Sequence, residues 1–256
     1  MRIIVENDYH SMSKKAALMV ASQITLKPDS NLGLATGGTP LAMYDKLIEM
    51  FREDEVDFSE VKSFNLDEYC GLEADHPNSY HYYMYDNFFK EINIKKENIH
   101  IPNGKADDFD RECRDYEETI KKAGGIDLQI LGIGSNGHIG FNEPAESLNV
   151  ATEVVNLSEE TIKANSRYFE SKDNVPKKAI SMGMATILKA DRIILLARGK
   201  NKAEAIKKTV NGKISTQEPA SLLQTHPQVT IIIDQEAASL INKKDLSADC
   251  HFEICK

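Results

Sequence analysis

Leu128-Gln129-Ile130-Leu131-Gly132-Ile133-Gly134-Ser135-Asn136-Gly137-His138-Ile139-Gly140-Phe141-Asn142-Glu143-Pro144 carries a short apolar run straight into a loop with four glycines, a histidine, two asparagines and a glutamate. The run reads as a strand and the loop as a site of chemistry. Glycines let a backbone take positive φ and approach a ligand closely, and an imidazole can take and return a proton near neutral pH. Similar apolar runs lie at residues 2–5, 32–35, 61–65, 192–197 and 229–233, alongside this one at 128–133. Between them apolar residues recur at helical spacing, as at Met12, Ala16, Met19 and Val20, and at Leu41, Tyr44, Leu47, Ile48 and Phe51. A polar helix is expected over 107–123, stopped by Gly124-Gly125. The alternation predicts an α/β fold: a single open, mostly parallel sheet flanked by helices on both faces, Rossmann-like and three-layered (αβα), in one domain over residues 1–256. The aromatic stretch 79–89 is expected to be a helix packing rings into the core. The tail from residue 242 shows no pattern and is expected to be loosely held.

Composition narrows the function. With 41% hydrophobic residues, no apolar run of the roughly 20 residues a membrane span needs, and no charged-then-apolar leader at Met1-Arg2-Ile3-Ile4-Val5-Glu6, a soluble cytoplasmic protein is expected. The formal charge of −9 argues against nucleic acid, whose phosphates call for a basic footprint. Cys70, Cys113, Cys250 and Cys255 are scattered, with no zinc spacing, so reduced thiols and no metal site are expected.

In an open parallel sheet, ligands sit at the carboxyl ends of the strands. One such end is Ala35-Thr36-Gly37-Gly38-Thr39-Pro40, where Thr39 suits a helix N-cap and Pro40 the first helical position. Backbone N–H groups at Gly37, Gly38 and Thr39 beside a helix start suit a phosphate, although an ordinary cap uses the same residues. Another is Arg198-Gly199-Lys200-Asn201-Lys202, whose cations oppose a helix dipole unless an anion binds there. A third, Phe64-Asn65-Leu66-Asp67-Glu68-Tyr69, offers a general base; Asp67 follows the strand directly and is the one expected to face the cleft. The fourth is the opening loop, with His138 as proton shuttle and Glu143 beside it. No cofactor fingerprint accompanies them: Gly132-Ile133-Gly134 fits a dinucleotide signature only formally. The set suits proton transfer on a small phosphorylated carbon compound without a cofactor.

These residues, with Ala164-Asn165-Ser166-Arg167-Tyr168-Phe169 and Lys202, closely resemble the glucosamine-6-phosphate deaminases of the glucosamine/galactosamine-6-phosphate isomerase family, over most of the chain. The resemblance implies conversion of glucosamine 6-phosphate and water to fructose 6-phosphate and ammonia. It implies His138-driven ring opening assisted by Glu143, proton transfer from C2 to C1 by Asp67, and a phosphate held by Arg167, Lys202 and the Gly38-Thr39 backbone. It also implies a mobile lid near 158–187. The partner set is then a small-molecule substrate, with no nucleic acid and no membrane; a homo-oligomer is compatible with it.

The chain departs from the family pattern in two ways. Asn136 stands where many members carry aspartate; an amide can orient an imidazole but cannot stabilise its cation as a full charge would. Glu153 and Val155 stand where allosteric relatives carry basic residues, which implies a non-allosteric enzyme. Rival readings are a 6-phosphogluconolactonase-like hydrolase, which needs no base at C2, an isomerase of unaminated sugar phosphates, and a non-catalytic sugar-phosphate sensor, which could dispense with Asp67, His138 and Glu143.

Overall fold

Apolar runs of four to six residues become strands buried on both faces when helices cover each side. The computed structural model describes residues 1–169, 171–242, 244, 246 and 250–255, the side chains at 164 and 172 aside. Among these the strands are β1 (Arg2–Glu6), β2 (Asn31–Leu34), β3 (Lys62–Asn65), β4 (Asp67–Tyr69), β5 (Ile99–His100), β6 (Leu128–Leu131), β7 (Glu153–Asn156), β8 (Lys178–Ser181), β9 (Arg192–Ala197), β10 (Val229–Asp234) and β11 (His251–Ile254). The helices are α1 (Tyr9–Leu26), α2 (Leu41–Arg52), α3 (Tyr80–Asn87), α4 (Phe109–Lys122), α5 (Glu159–Asn165), α6 (Met184–Leu188) and α7 (Ala203–Asn211). None is long and apolar enough to cross a membrane.

Eight strands form one sheet in the order β11-β1-β10-β9-β6-β2-β3-β5, with every neighbouring pair parallel. Because side chains alternate across a strand, each strand feeds two cores. Ile4, Ile194, Leu196 and Ile232 pack with Met12 and Ala16 of α1 and Met43 and Leu47 of α2. Ile3, Val5, Ile193, Leu195, Ile231 and Ile233 pack with Tyr116 of α4, Ile187 of α6 and Ile206 of α7. Three layers follow, as the sequence predicts.

A smaller sheet that the sequence does not announce stands beside this open parallel one. β4, β8 and β7 form a second, antiparallel sheet in that order. Asp67-Glu68-Tyr69 carries no strand signal of its own; pairing with β8, far along the chain, makes it one. The tail also differs from expectation. β11 lies parallel to β1 at the sheet edge, with His251 N–H bonded to the Met1 carbonyl and Cys255 N–H to that of Val5. Residues 243, 245, 247–249 and 256 of that tail lie outside the described residues. In the aromatic stretch, Met84, Phe88 and Phe89 are buried while Tyr82 and Tyr85 are exposed, so only part of it feeds the core.

The four site loops leave the carboxyl ends of β9, β6, β2 and β3, which are consecutive in the sheet. Residues from 37 to 202 are thereby gathered along one stretch of its edge.

Candidate functional site

The chain passes from β3 in the large sheet to β4 in the small one through Leu66 alone. Leu66 N–H bonds to the Leu34 carbonyl of β2, and its own carbonyl accepts from Met182 N–H. Asp67, the first residue of β4, therefore stands where the two sheets meet and is only 7% exposed. Burial pushes its pKa up to about 8, and the neighbouring Glu68 carboxylate adds to the rise. Glu68 points elsewhere: its buried carboxylate accepts from the backbone N–H groups of Tyr69, Tyr80 and His81 at 2.8, 3.0 and 3.0 Å and meets His81 Nδ1 at 3.0 Å. It ties down the start of α3, so of the two adjacent acids only Asp67 is without such an anchoring job. Glu68→Ala is expected to lower unfolding free energy by about 3 kcal/mol, because buried donors lose their acceptor. Urea denaturation of the variant checks this.

His138 sits in a tight turn closed by Gly134 N–H to its carbonyl at 2.9 Å. The residues after it explain the Phe-Asn-Glu-Pro sequence. Phe141 enters an aromatic cluster with Tyr69 and Tyr80, and the Asn142 side chain donates to the carbonyls of Ile139 and Met182, pinning the loop against the end of β8. A Cβ placed on Gly140 would lie 3.6 Å from Asp67 Oδ2, so the acid lies directly against the histidine loop. Glu143 Oε2 lies 3.3 Å from His138 Nδ1, within ion-pair range but off the line of a hydrogen bond. Burial pushes the Glu143 pKa up, but the His138 imidazole and hydrogen bonds from Thr161 and Asn136 outweigh it and bring the value down to about 2. Glu143 is thus a fixed carboxylate facing the imidazole. Asn136 acts differently from expectation. Its Nδ2 donates to Glu143 Oε2 at 2.9 Å and its Oδ1 accepts from the His138 backbone N–H at 3.2 Å, so it holds the carboxylate and the turn rather than the imidazole.

At the end of β2, Gly37 takes φ +103°, a conformation that favours glycine. Two tyrosines fix this turn. Tyr83 of α3 donates to the Gly37 carbonyl at 2.7 Å, and Tyr9 of α1 donates to that of Gly38 at 3.0 Å while accepting from Ala42 N–H at 3.1 Å. Thr39 is not the helix cap. Pro40 occupies that position without a side-chain bond, because the Tyr9 hydroxyl reaches into the first turn of α2 instead. The Arg198 guanidinium stacks on the Tyr9 ring at 3.8 Å beside Gly38.

Lys202, at the foot of α7, lies within electrostatic reach of Arg167 from the segment after α5. Burial lowers the Lys202 pKa and the Arg167 guanidinium lowers it further, against a smaller opposing pull from the Glu160 carboxylate. Two like charges brought together, one of them partly desolvated, are unfavourable unless an anion joins them. Among the described residues neither forms an ion pair with a carboxylate. Tyr168, next to Arg167, lies close enough to Tyr83 to disfavour its ionisation, which brings this segment toward the Gly37 turn.

Of the stretch 158–187, residue 170 lies outside the described residues. Residues 178–187 hold β8 and most of α6, with Ala179, Ile180, Met182 and Ile187 fully buried, so they belong to the body of the fold, whereas Ser158 and Thr161 reach Glu143. Sequence reading missed Tyr9 and Tyr83, which fix the glycine turn, and Ser158 and Thr161, which bind Glu143. The tyrosines carry no local signal. Ser158 and Thr161 do show the spacing of an N-cap and its third helical residue, but not that Glu143 would accept from both.

The comparisons with known proteins identify the family. The family model described as glucosamine-6-phosphate isomerases/6-phosphogluconolactonase matches residues 6–232. A glucosamine-6-phosphate deaminase of Halothermothrix orenii is 67% identical over 241 residues, 94% of this chain and 100% of that one. Another, from Thermoanaerobacter pseudethanolicus, is 63% identical over 96% of this chain and 97% of its own. A solved monomeric glucosamine-6-phosphate deaminase superposes with TM-score 0.91 at 51% identity, covering 94% of this chain and 100% of that one. The 6-phosphogluconolactonase from Trypanosoma brucei shares the fold, with TM-score 0.74 at 18% identity over 94% of this chain and 98% of that one. With the matched region spanning all four site loops, this chain belongs to the glucosamine-6-phosphate isomerase/6-phosphogluconolactonase family.

Proposed function

We propose that this chain converts glucosamine 6-phosphate and water to fructose 6-phosphate and ammonia. The observation that carries the reading is the buried Asp67 carboxyl lying against the His138 loop, with a pKa raised to about 8. A base for a carbon acid benefits from a pKa near working pH, and burial supplies it. High-identity relatives that bear the deaminase name support the same choice. Lactone hydrolysis would leave a base of this kind without a task.

In this reading Arg167, Lys202 and the Gly37-Gly38-Thr39 backbone grip the 6-phosphate, with residues 158–169 as the lid. Arginine's planar fork suits phosphate oxygens and stays charged. His138 moves a proton from the anomeric hydroxyl to the ring oxygen, with Glu143 stabilising the imidazolium formed on the way. Asp67 then takes the proton from C2 of the open aldehyde and returns it at C1, while a proton from the substrate nitrogen passes to the aldehyde oxygen to leave a C1 alcohol. The resulting C2 imine adds water and releases ammonia. In the free protein Asp67 holds its proton at neutral pH; a substrate ammonium arriving beside it favours the carboxylate and frees the base.

An ammonia-release assay with glucosamine 6-phosphate tests the reading. The expected result is ammonia and fructose 6-phosphate in equal amounts, with hyperbolic substrate dependence, abolished by Asp67→Asn or His138→Gln. Lactone hydrolysis without ammonia release would make the protein a lactonase, and binding without turnover would make it a sensor.

A further inference from the structure

Glu143 is held from two sides. Its Oε2 belongs to the histidine loop, through Asn136 Nδ2 at 2.9 Å and His138 Nδ1 at 3.3 Å. Its Oε1 belongs to α5. Ser158 Oγ donates to it at 3.0 Å, and the Thr161 hydroxyl donates to the same oxygen. Ser158 is the N-cap of α5, and its hydroxyl accepts from the Thr161 backbone N–H at 3.1 Å, which fixes the Ser158 side chain against the first turn of the helix. A threonine inside a helix ordinarily spends its hydroxyl on a carbonyl of the preceding turn. Thr161, at the helix start and 4% exposed, spends it on this carboxylate.

The same short segment is docked farther along. Leu157 and Ile162 are buried with Phe141 and Tyr69, Asn165 Nδ2 donates to the Tyr69 hydroxyl at 2.8 Å, and the Phe169 ring meets Tyr69 edge-on at 5.8 Å. Arg167 lies between these two contacts. A glutamate's terminal torsion is broad, so a carboxylate anchored at one oxygen only can swing. Anchoring both oxygens fixes the face it shows to the imidazole.

We propose that Ser158 and Thr161 are positioning residues: docking of residues 158–169 aims Glu143 at His138, so that the segment gripping the phosphate also assembles the proton relay. This rests on the function proposed above. Binding energy at the far end of the sugar is then used for orientation at the near end, where ring opening occurs.

The test compares Thr161→Val, which keeps shape and volume, with Thr161→Ser, which keeps the hydroxyl, in ammonia release from glucosamine 6-phosphate. Thr161→Val is expected to lower kcat about 10-fold, the effect of one hydrogen bond to a charged group, with KM changed less than about 2-fold. Thr161→Ser is expected to retain most of the wild-type kcat, and Thr161→Val, which loses a hydrogen bond already made in the free fold, is expected to melt a few degrees below the wild type while staying folded at the assay temperature. In an Arg167→Ala background, Thr161→Val is expected to cost much less than it does alone, because without the phosphate grip the segment no longer transmits binding energy to Glu143. A Thr161→Val enzyme with wild-type kcat, or losses that multiply fully in the double variant, would overturn the inference. A wild-type protein that releases no ammonia would instead remove the proposed function, a result read without any variant.

Discussion

Asp67→Asn is expected to lower kcat for ammonia release by about 10³-fold, within the range for loss of a general base, while making the protein more stable. Asparagine keeps the size of the side chain but cannot accept the C2 proton. The stability gain follows from linkage. The carboxyl has a pKa of about 8 in the folded chain against an ordinary value of 3.8, so between those values the folded state holds a proton that the unfolded state has lost. Wild-type stability therefore falls as pH rises from about 4 through 8, and the deficit is complete above the folded value. At about 1.4 kcal/mol per pH unit the ceiling is on the order of 5 kcal/mol. Asparagine never ionises, so the advantage of the variant should be small at pH 4.5 and several kcal/mol at pH 8.5 in urea titrations. An advantage equal at both pH values would contradict the burial argument. The same titration should appear in catalysis. For the wild type, kcat/KM is expected to climb with pH up to about 8, where free Asp67 ionises, whereas the limb in kcat should lie lower because the bound ammonium favours the carboxylate. A kcat/KM flat from pH 6 to 9 would count against Asp67 as the base.

Gly134→Ala is expected to cost about 10²-fold in kcat, the scale on which a displacement of about 1 Å in a reacting group is felt. A Cβ built on Gly134 falls 2.4 Å from both Cε1 and Nδ1 of the His138 ring, far inside van der Waals contact. The ring cannot stay where it is. Nor can the backbone yield easily, since Gly134 N–H closes the turn on the His138 carbonyl and Ala220 N–H bonds to that of Gly137. The imidazole is the movable part, and moving it breaks its alignment with Glu143. Substrate binding through Arg167 and Lys202 should be spared, so KM should change little. His138→Gln gives the floor of the series. A Gly134→Ala enzyme with wild-type kcat would mean that the imidazole acts from another position.

Some of this was legible in the chain because it is local. Burial of a parallel strand on both faces demands an unbroken apolar run, and residues 2–5, 128–133, 192–197 and 229–233 were readable for that reason. Gly124-Gly125 ended α4 where expected, because helix termination is decided within one turn. The edge elements were not legible. β4, β5 and β11 are short and polar, and each is a strand only because another strand lies beside it. Glu68 beside Asp67 shows the same limit in the site. Two adjacent carboxylates look alike in sequence, and only the start of α3 folding over one of them separates an anchoring acid from a candidate base.

The sequence by itself determined the alternating α/β architecture and which loops carry glycines, acids, cations and a histidine, since both depend on near neighbours along the chain. The tertiary structure alone decided that β9, β6, β2 and β3 stand side by side, that Asp67 is buried where the two sheets meet, and that α5 reaches back to hold Glu143. The physical reason is that desolvation, close approach and hydrogen bonding depend on distance in space, and the residues that impose them on Asp67, His138 and Glu143 come from segments far apart in the chain.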